Sequence, residues 1–131
     1  PRNKWGREIL PRVMYSTIMD IAGALRQPAD VHHGNGHGAY EDPDAEGMVH
    51  DDERIEVLDQ FIEHMMRARA EGANVHGYYV WSTMDLYSWI NGYQKRYGLV
   101  RVDFDNDLKR VPKKSWYWYR DLINGYLNQS E

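Results

Sequence analysis

The sequence predicts an α/β fold whose strands run parallel and lie buried. Helical periodicity of apolar residues appears over Pro11 to Leu25, again after Asp51, and a third time after Ser115. Between the last two, Val75 to Ser82 is strand-like, and Tyr78, Tyr79, Val80 and Trp81 within it are continuously apolar or aromatic, the pattern of a parallel strand covered on both faces rather than one with a face in water. The resulting order of helix, strand, helix, strand, hairpin, helix is that of an α/β chain. No internal repeat, low-complexity stretch or convincing domain boundary breaks it, so residues 1–131 are expected to form a single segment.

Taken in order, Met14, Ile18, Ile21 and Leu25 recur at helical spacing and Pro11 is tolerated in a first turn. This amphipathic helix ends before Gln27-Pro28. Ala29 to Gly36 should by position be a strand, although Val31 is its one strongly apolar residue ahead of His32, His33 and Gly34, and its residues alone would not assign one. Gly36 to Gly47 is a loop rich in Gly, Asp, Glu and Pro, too acidic and irregular to be expected in a core. Asp51, Asp52 and Glu53 then place negative charge at a helix N-terminus, where it complements the macrodipole. Ile55, Leu58, Phe61, Ile62 and Met65 form the apolar stripe of that helix, Arg67 and Arg69 lie near its end, and Gly72 closes it. After the aromatic strand, Leu99 to Phe104 alternates as a partly exposed strand does, and Asn106-Asp107 with Leu108 to Val111 predicts a hairpin. Ser115 is placed to cap a last helix bearing Trp116, Tyr119, Ile123 and Tyr126 on one face.

Composition narrows the function. A formal net charge of -4 and a pI near 5.9 give no electrostatic footprint for nucleic acid or an anionic membrane, so neither is an expected partner. Without cysteine there are no disulfides, thiolate metal sites or thiol nucleophiles, and a cytoplasmic location is expected. No apolar run approaches the roughly 18 to 20 residues of a membrane span. The chain opens at Pro1-Arg2-Asn3-Lys4-Trp5 without an initiator methionine, from which an upstream segment is expected. Ten Tyr and five Trp suit a carbohydrate site, where flat sugar faces stack on rings, and equally suit an aromatic core.

The most informative stretch is Gly77 to Tyr97, G-Y-Y-V-W-S-T-M-D-L-Y-S-W-I-N-G-Y-Q-K-R-Y, in which an apolar strand runs into a loop crowded with aromatic and polar groups. Ser88, Lys95 and Tyr97 offer a hydroxyl, an ammonium and a phenol within that loop, the donors that a phosphate dianion needs. By themselves they read equally as a turn residue, a solvated charge and a packing residue. Together with the tail from Gly98 to Phe104 and from Arg110 to Tyr119, the stretch resembles the C-terminal end of glycoside hydrolase family 1. Within that family of retaining β-glycosidases it is similar to the 6-phospho-β-galactosidase branch, which carries S-W-x-N-G-Y-x-K-R-Y. The resemblance runs from about Trp5 to Ile123.

The resemblance implies the C-terminal portion of a (β/α)8 barrel, from its sixth helix to its eighth. A whole barrel takes roughly 250 residues, about twice this chain. A complementary barrel segment, or self-association, is therefore an expected partner. It also implies that Ser88, Lys95 and Tyr97 bind the 6-phosphate of a phosphorylated β-glycoside and that Trp81 and Trp89 serve the sugar subsite, with no cofactor. Members acting on plain glucosides carry a Glu at the Ser88 position, whose charge would repel phosphate. Asp85 reads as a residue that holds the loop through hydrogen bonds, and Asp103 and Asp105 as hairpin residues.

One departure from the family pattern is decisive. Where members carry T-E-N-G, whose Glu is the nucleophile, this chain has His33-Gly34-Asn35-Gly36, so that Gly34 occupies the nucleophile position. A retaining glycosidase needs two carboxyl groups about 5 to 5.5 Å apart. Glycine cannot attack, and the acid of the family's N-E-P motif has no counterpart in the chain. Hydrolysis by this chain alone is not expected. A glycosynthase-like or scaffolding role is the alternative, and His33 with His37 beside the emptied position is a further one, for a metal such as zinc. Adjacent His32 and His33 would point to opposite sides of a strand, so one of them at most would join His37.

Overall fold

A computed structural model describes residues 8–25 and 34–128 of the chain. Seven elements follow in order: helix α1 (Pro11–Leu25), strand β1 (Gly34–Asn35), helix α2 (Asp52–Ala70), strands β2 (Tyr79–Val80), β3 (Val100–Asp103) and β4 (Lys109–Pro112), and helix α3 (Lys114–Asn128). They distribute over two compact units, the first holding residues up to Asn35 with Glu56–Val80, the second Gly36–Ile55 with Trp81–Glu131.

In the first unit, the stripe predicted for α1 buries Met14 and Ile18, and that of α2 buries Leu58, Ile62 and Met65, with Ile21 left on the surface. Tyr15 ties α1 to the end of α2: its hydroxyl donates to the Glu71 carboxylate and the Arg67 guanidinium lies 4.5 Å from its ring centroid. Gly72, at φ +101°, ends α2 as expected, since a left-handed residue there lets the Gly72 and Ala73 amides reach the Arg69 and Ala68 carbonyls at 3.1 and 3.0 Å. Ala73 and Ala68 are both buried, completing that Schellman closure.

β1 pairs with β2 in parallel, Gly34 opposite Tyr79 and Asn35 opposite Val80. The strand expected from Val75 to Ser82 is thus confined to two residues, and Tyr79 stands more exposed than covered. A parallel strand is held by ladders to its neighbours, and among the described residues β2 has one short neighbour. Most of the strand expected over Ala29 to Gly36, His32 and His33 included, lies outside the described residues.

In the second unit, β3 and β4 form the antiparallel hairpin read from the sequence, with Val100 opposite Pro112 and Asp103 opposite Lys109. Its turn places Asp107 and Leu108 at φ +51° and +53°. Val102 and Leu99 are buried with Val49. Two expectations need correction here. Ser115 does not cap α3 from outside; it is fully buried inside the first turn, its amide and hydroxyl donating to Asp51 at 2.9 and 2.6 Å. The acidic loop is not wholly exposed either, because the Glu41 side chain is 5% exposed and is neutralised by two cations. The aromatic stripe of α3 stays largely uncovered, with Ile123 and Tyr126 exposed.

Asp51 therefore serves two helices. Its carbonyl accepts the Arg54 and Ile55 amides that open α2, while its carboxylate satisfies an otherwise orphaned amide of α3 and pairs with Arg54 Nε at 2.8 Å. Asp51→Ala is expected to lower the unfolding free energy in urea by roughly 3 to 5 kcal/mol, as removal of one partner of a buried pair does. Asp52→Ala, which breaks the exposed pair with Lys114, should cost no more than about 1 kcal/mol. Equal losses for the two variants would contradict the double role of Asp51.

Candidate functional site

The candidate site is a loop whose two ends are locked together. Ser82 to Asp85 lies alongside Tyr97 to Val100: the Ser82 amide donates to the Tyr97 carbonyl at 3.2 Å, Leu99 to Ser82 at 3.1 Å, Val100 to Thr83 at 2.9 Å and Asp85 to Val100 at 3.0 Å. So close an approach requires glycine at 98, where a Cβ would meet the Met84 carbonyl carbon and the Asp85 nitrogen at 2.2 Å. Gly36 is constrained in the same way, its missing Cβ being 1.7 Å from the Trp81 carbonyl oxygen. The chain from Leu86 to Arg96 projects from this base. Tyr93 packs between Tyr87 and Phe104 at centroid distances of 5.1 and 4.4 Å, and the Arg96 guanidinium lies over Phe104.

Beneath the loop runs a buried chain of charges. Asp85 accepts from the Gly98 amide at 3.0 Å, the Val102 amide at 3.3 Å and Lys113 Nζ at 2.8 Å. Lys113, with no exposed surface, also donates to Glu41 at 2.5 Å, and the other Glu41 oxygen accepts from Arg54. Arg54 spends all five of its N–H groups: Nε on Asp51, one terminal nitrogen on the carbonyls of His37 and Tyr97, the other on Glu41 and the Arg96 carbonyl. The network thus grips the backbone at Arg96 and Tyr97 as well as at Gly98. Burial pushes the Glu41 carboxyl up, while Arg54 and Lys113 draw it back.

The residues singled out in the sequence fall as follows. Ser88 sits at the neck of a tight turn, its backbone exchanging hydrogen bonds with Gly92 at 2.9 and 2.8 Å. Its Oγ accepts from the Ile90 and Asn91 amides at 3.4 and 3.3 Å. Tyr97 is brought to the same place, because Asn91 Nδ2 lies 3.1 Å from its hydroxyl and 3.4 Å from Ser88 Oγ. Lys95, half-buried, is two residues before Tyr97 on the same loop. Trp89 projects from the tip with 96% of its surface exposed, and Trp81 is exposed at the loop's base. Gly34 is the β1 residue opposite Tyr79, in the other compact unit. His37 is buried with Nε2 3.2 Å from Glu53, and His33 lies outside the described residues. Among the described residues no three His, Asp or Glu side chains gather as metal ligands.

Sequence reasoning anticipated the hydrogen-bonding role of Asp85 and missed Arg54, Glu41, Lys113 and Asn91. Arg54 carries a faint signal, an arginine in the acidic first turn of a helix. Lys113 shows none, since it reads as one more surface cation after Pro112.

The described elements make up a partial α/β segment. The chain belongs to glycosyl hydrolase family 1, whose model matches residues 1–126. It is 42% identical over 124 residues to a 6-phospho-beta-galactosidase of Staphylococcus epidermidis and 41% identical over 122 residues to one of Streptococcus mutans, in each case covering 93% of this chain and 26% of the relative. The family 1 β-glucosidase of Thermotoga maritima superimposes with a TM-score of 0.87 at 34% identity, over 95% of this chain and 28% of that one. The chain thus spans about a quarter of the length of the relatives it matches. Among the described residues no helix is long and apolar enough to cross a membrane.

Burial holds the His37 imidazole below its ordinary value of 6.5, against the opposing pull of Glu53. A group whose folded pKa is depressed contributes stability that is present above its unfolded pKa and lost as pH falls through the folded value. The urea midpoint should accordingly fall faster between pH 7 and pH 5 in the parent than in His37→Gln. Parallel pH profiles would contradict a buried neutral His37.

Proposed function

We propose that the chain supplies the phosphate and sugar subsite of a 6-phospho-β-galactosidase-like barrel, as one partial barrel segment that works with a complementary segment, and that it lacks both catalytic carboxylates. The observation that carries this reading is the convergence of Ser88 and Tyr97 on Asn91, in a loop that also bears Lys95. Two hydroxyls and an ammonium suit a phosphate dianion, for which each charge-assisted hydrogen bond contributes roughly 1.5 to 3 kcal/mol. Similarity to proteins named 6-phospho-beta-galactosidase supports the same substrate class. Trp89, exposed at the loop tip, and Trp81, at its base, would offer ring faces to the sugar. Uncovered aromatic and aliphatic surface in both units, including Tyr79, Ile123 and Tyr126, supports the need for a covering segment.

The chemistry is limited by Gly34. With hydrogen in place of a carboxylate-bearing side chain, no covalent glycosyl intermediate forms at that position, and the general acid has to come from elsewhere. Binding without turnover is the consequence.

Two outcomes test this reading on the chain assembled with a complementary barrel segment. Lys95→Ala should weaken galactose 6-phosphate at least about tenfold in calorimetry and leave galactose nearly unchanged, the loss of one charge-assisted bond. Equal losses for both sugars would make Lys95 a structural residue. Gly34→Glu should restore hydrolysis of an aryl 6-phospho-β-galactoside and become labelled by a 2-deoxy-2-fluoro sugar, whereas the parent hydrolyses nothing and takes no label. Robust hydrolysis by the parent would show that another carboxylate attacks.

A further inference from the structure

We propose that Asn91 is the positioning residue of the phosphate subsite, orienting the Ser88 and Tyr97 hydroxyls so that both aim their protons at the ligand. The proposal rests on the reading of the loop as a phosphate site and goes beyond it, since it concerns how two neutral hydroxyls are made into directed donors.

A hydroxyl has one proton and two lone pairs and rotates to suit its surroundings. In an unconstrained loop, Ser88 and Tyr97 would turn their protons to whatever acceptor lay nearest, and an anion would have to reorient both. Here the Asn91 amide nitrogen carries two protons and faces both oxygens, at 3.1 Å from Tyr97 and 3.4 Å from Ser88. Each oxygen is thereby used as an acceptor. Ser88 Oγ accepts further from the amides of Ile90 and Asn91, so that its lone pairs all meet donors. Among the described residues neither the Ser88 nor the Tyr97 hydroxyl donates to any protein acceptor. Both protons are left for a ligand rich in acceptor oxygens and poor in donors, which is the character of a phosphate dianion and not of a neutral sugar.

The surroundings fix this arrangement from both sides. Asn91 sits in a turn closed by the Ser88 and Gly92 hydrogen bonds, with Gly92 at φ +58° allowing the chain to double back. Tyr97 is held from behind by Gly38, where a Cβ would come within 2.5 Å of its ring. The Ala39 and Arg96 backbones exchange hydrogen bonds at 3.0 and 2.8 Å, and Arg54 holds the Tyr97 carbonyl at 3.1 Å. Asn91 is thus held where its amide can orient two hydroxyls whose backbones are fixed.

The test measures galactose 6-phosphate and galactose binding by calorimetry, on the full chain assembled with a complementary barrel segment. Asn91→Leu keeps the branched shape and removes the donors. It should weaken galactose 6-phosphate about fivefold or more, the worth of roughly 1 kcal/mol of hydrogen bonding, with galactose unchanged. In a Tyr97→Phe, Ser88→Ala background the same substitution should have no further effect, because nothing is left to orient. A loss shared by both sugars, or one that persists in that background, would make Asn91 merely structural and overturn the proposal. An unaffected Asn91→Leu beside a weakened Lys95→Ala would overturn it while leaving the phosphate site standing. If Lys95→Ala is also without effect, the phosphate reading fails and the proposal with it. Should Asn91→Leu not fold, Asn91→Ala removes the donors without adding bulk or charge; it should weaken the phosphosugar about fivefold or more and retain galactose, and weakening of neither or of both would again overturn the proposal.

Discussion

The second compact unit depends on one buried electrostatic chain, from Asp85 through Lys113, Glu41 and Arg54 to Asp51. Unpaired, any one of these charges would be too costly to bury, and a half-satisfied network is worse than an apolar core. What permits it is complete pairing. Arg54 finds five acceptors, Lys113 joins two carboxylates, and the carboxylates take up backbone amides at Gly98, Val102 and Ser115. Few apolar side chains are buried in this unit, so directional bonds between segments distant in sequence take over the work of a core.

That substitution has a structural consequence. A close-packed core fixes its atoms by steric fit, and a guanidinium fork adds a fixed direction to each atom it touches. The atoms fixed here are the carbonyls of Arg96 and Tyr97 and the amide of Gly98, at the end of the loop bearing Ser88, Lys95 and Tyr97. The loop tip can remain exposed, as Trp89 is, and still be held at its root. Rigid support beneath an open loop is what recognition of a small anion requires.

Much of the backbone was legible in the sequence. The periodicity of α1 and α2, the Gly72 closure and the β3–β4 hairpin all follow from local rules whose causes lie within a few residues of their effects. The failures share the opposite character. β2 shrinks to Tyr79 and Val80 because a parallel strand takes its hydrogen bonds from distant segments. Ser115 is not a cap because Asp51, 64 residues away in sequence, reaches it first. Glu41 is buried in a loop that looks solvated because Arg54 and Lys113 arrive there from two other elements. The trio of Ser88, Lys95 and Tyr97 was visible as chemistry, yet Asn91, whose amide links the two hydroxyls, stood in the same motif with no role assigned to it.

The central claim is that this loop receives a phosphate. A crystal structure of the chain assembled with a complementary barrel segment and soaked with galactose 6-phosphate tests it most directly. The account predicts phosphate oxygens within hydrogen-bonding distance, about 2.5 to 3.2 Å, of Ser88 Oγ, Lys95 Nζ and the Tyr97 hydroxyl, with the sugar ring against Trp89. A ligand bound with its phosphate pointing away from these three groups, or to a site elsewhere on the chain, would contradict it.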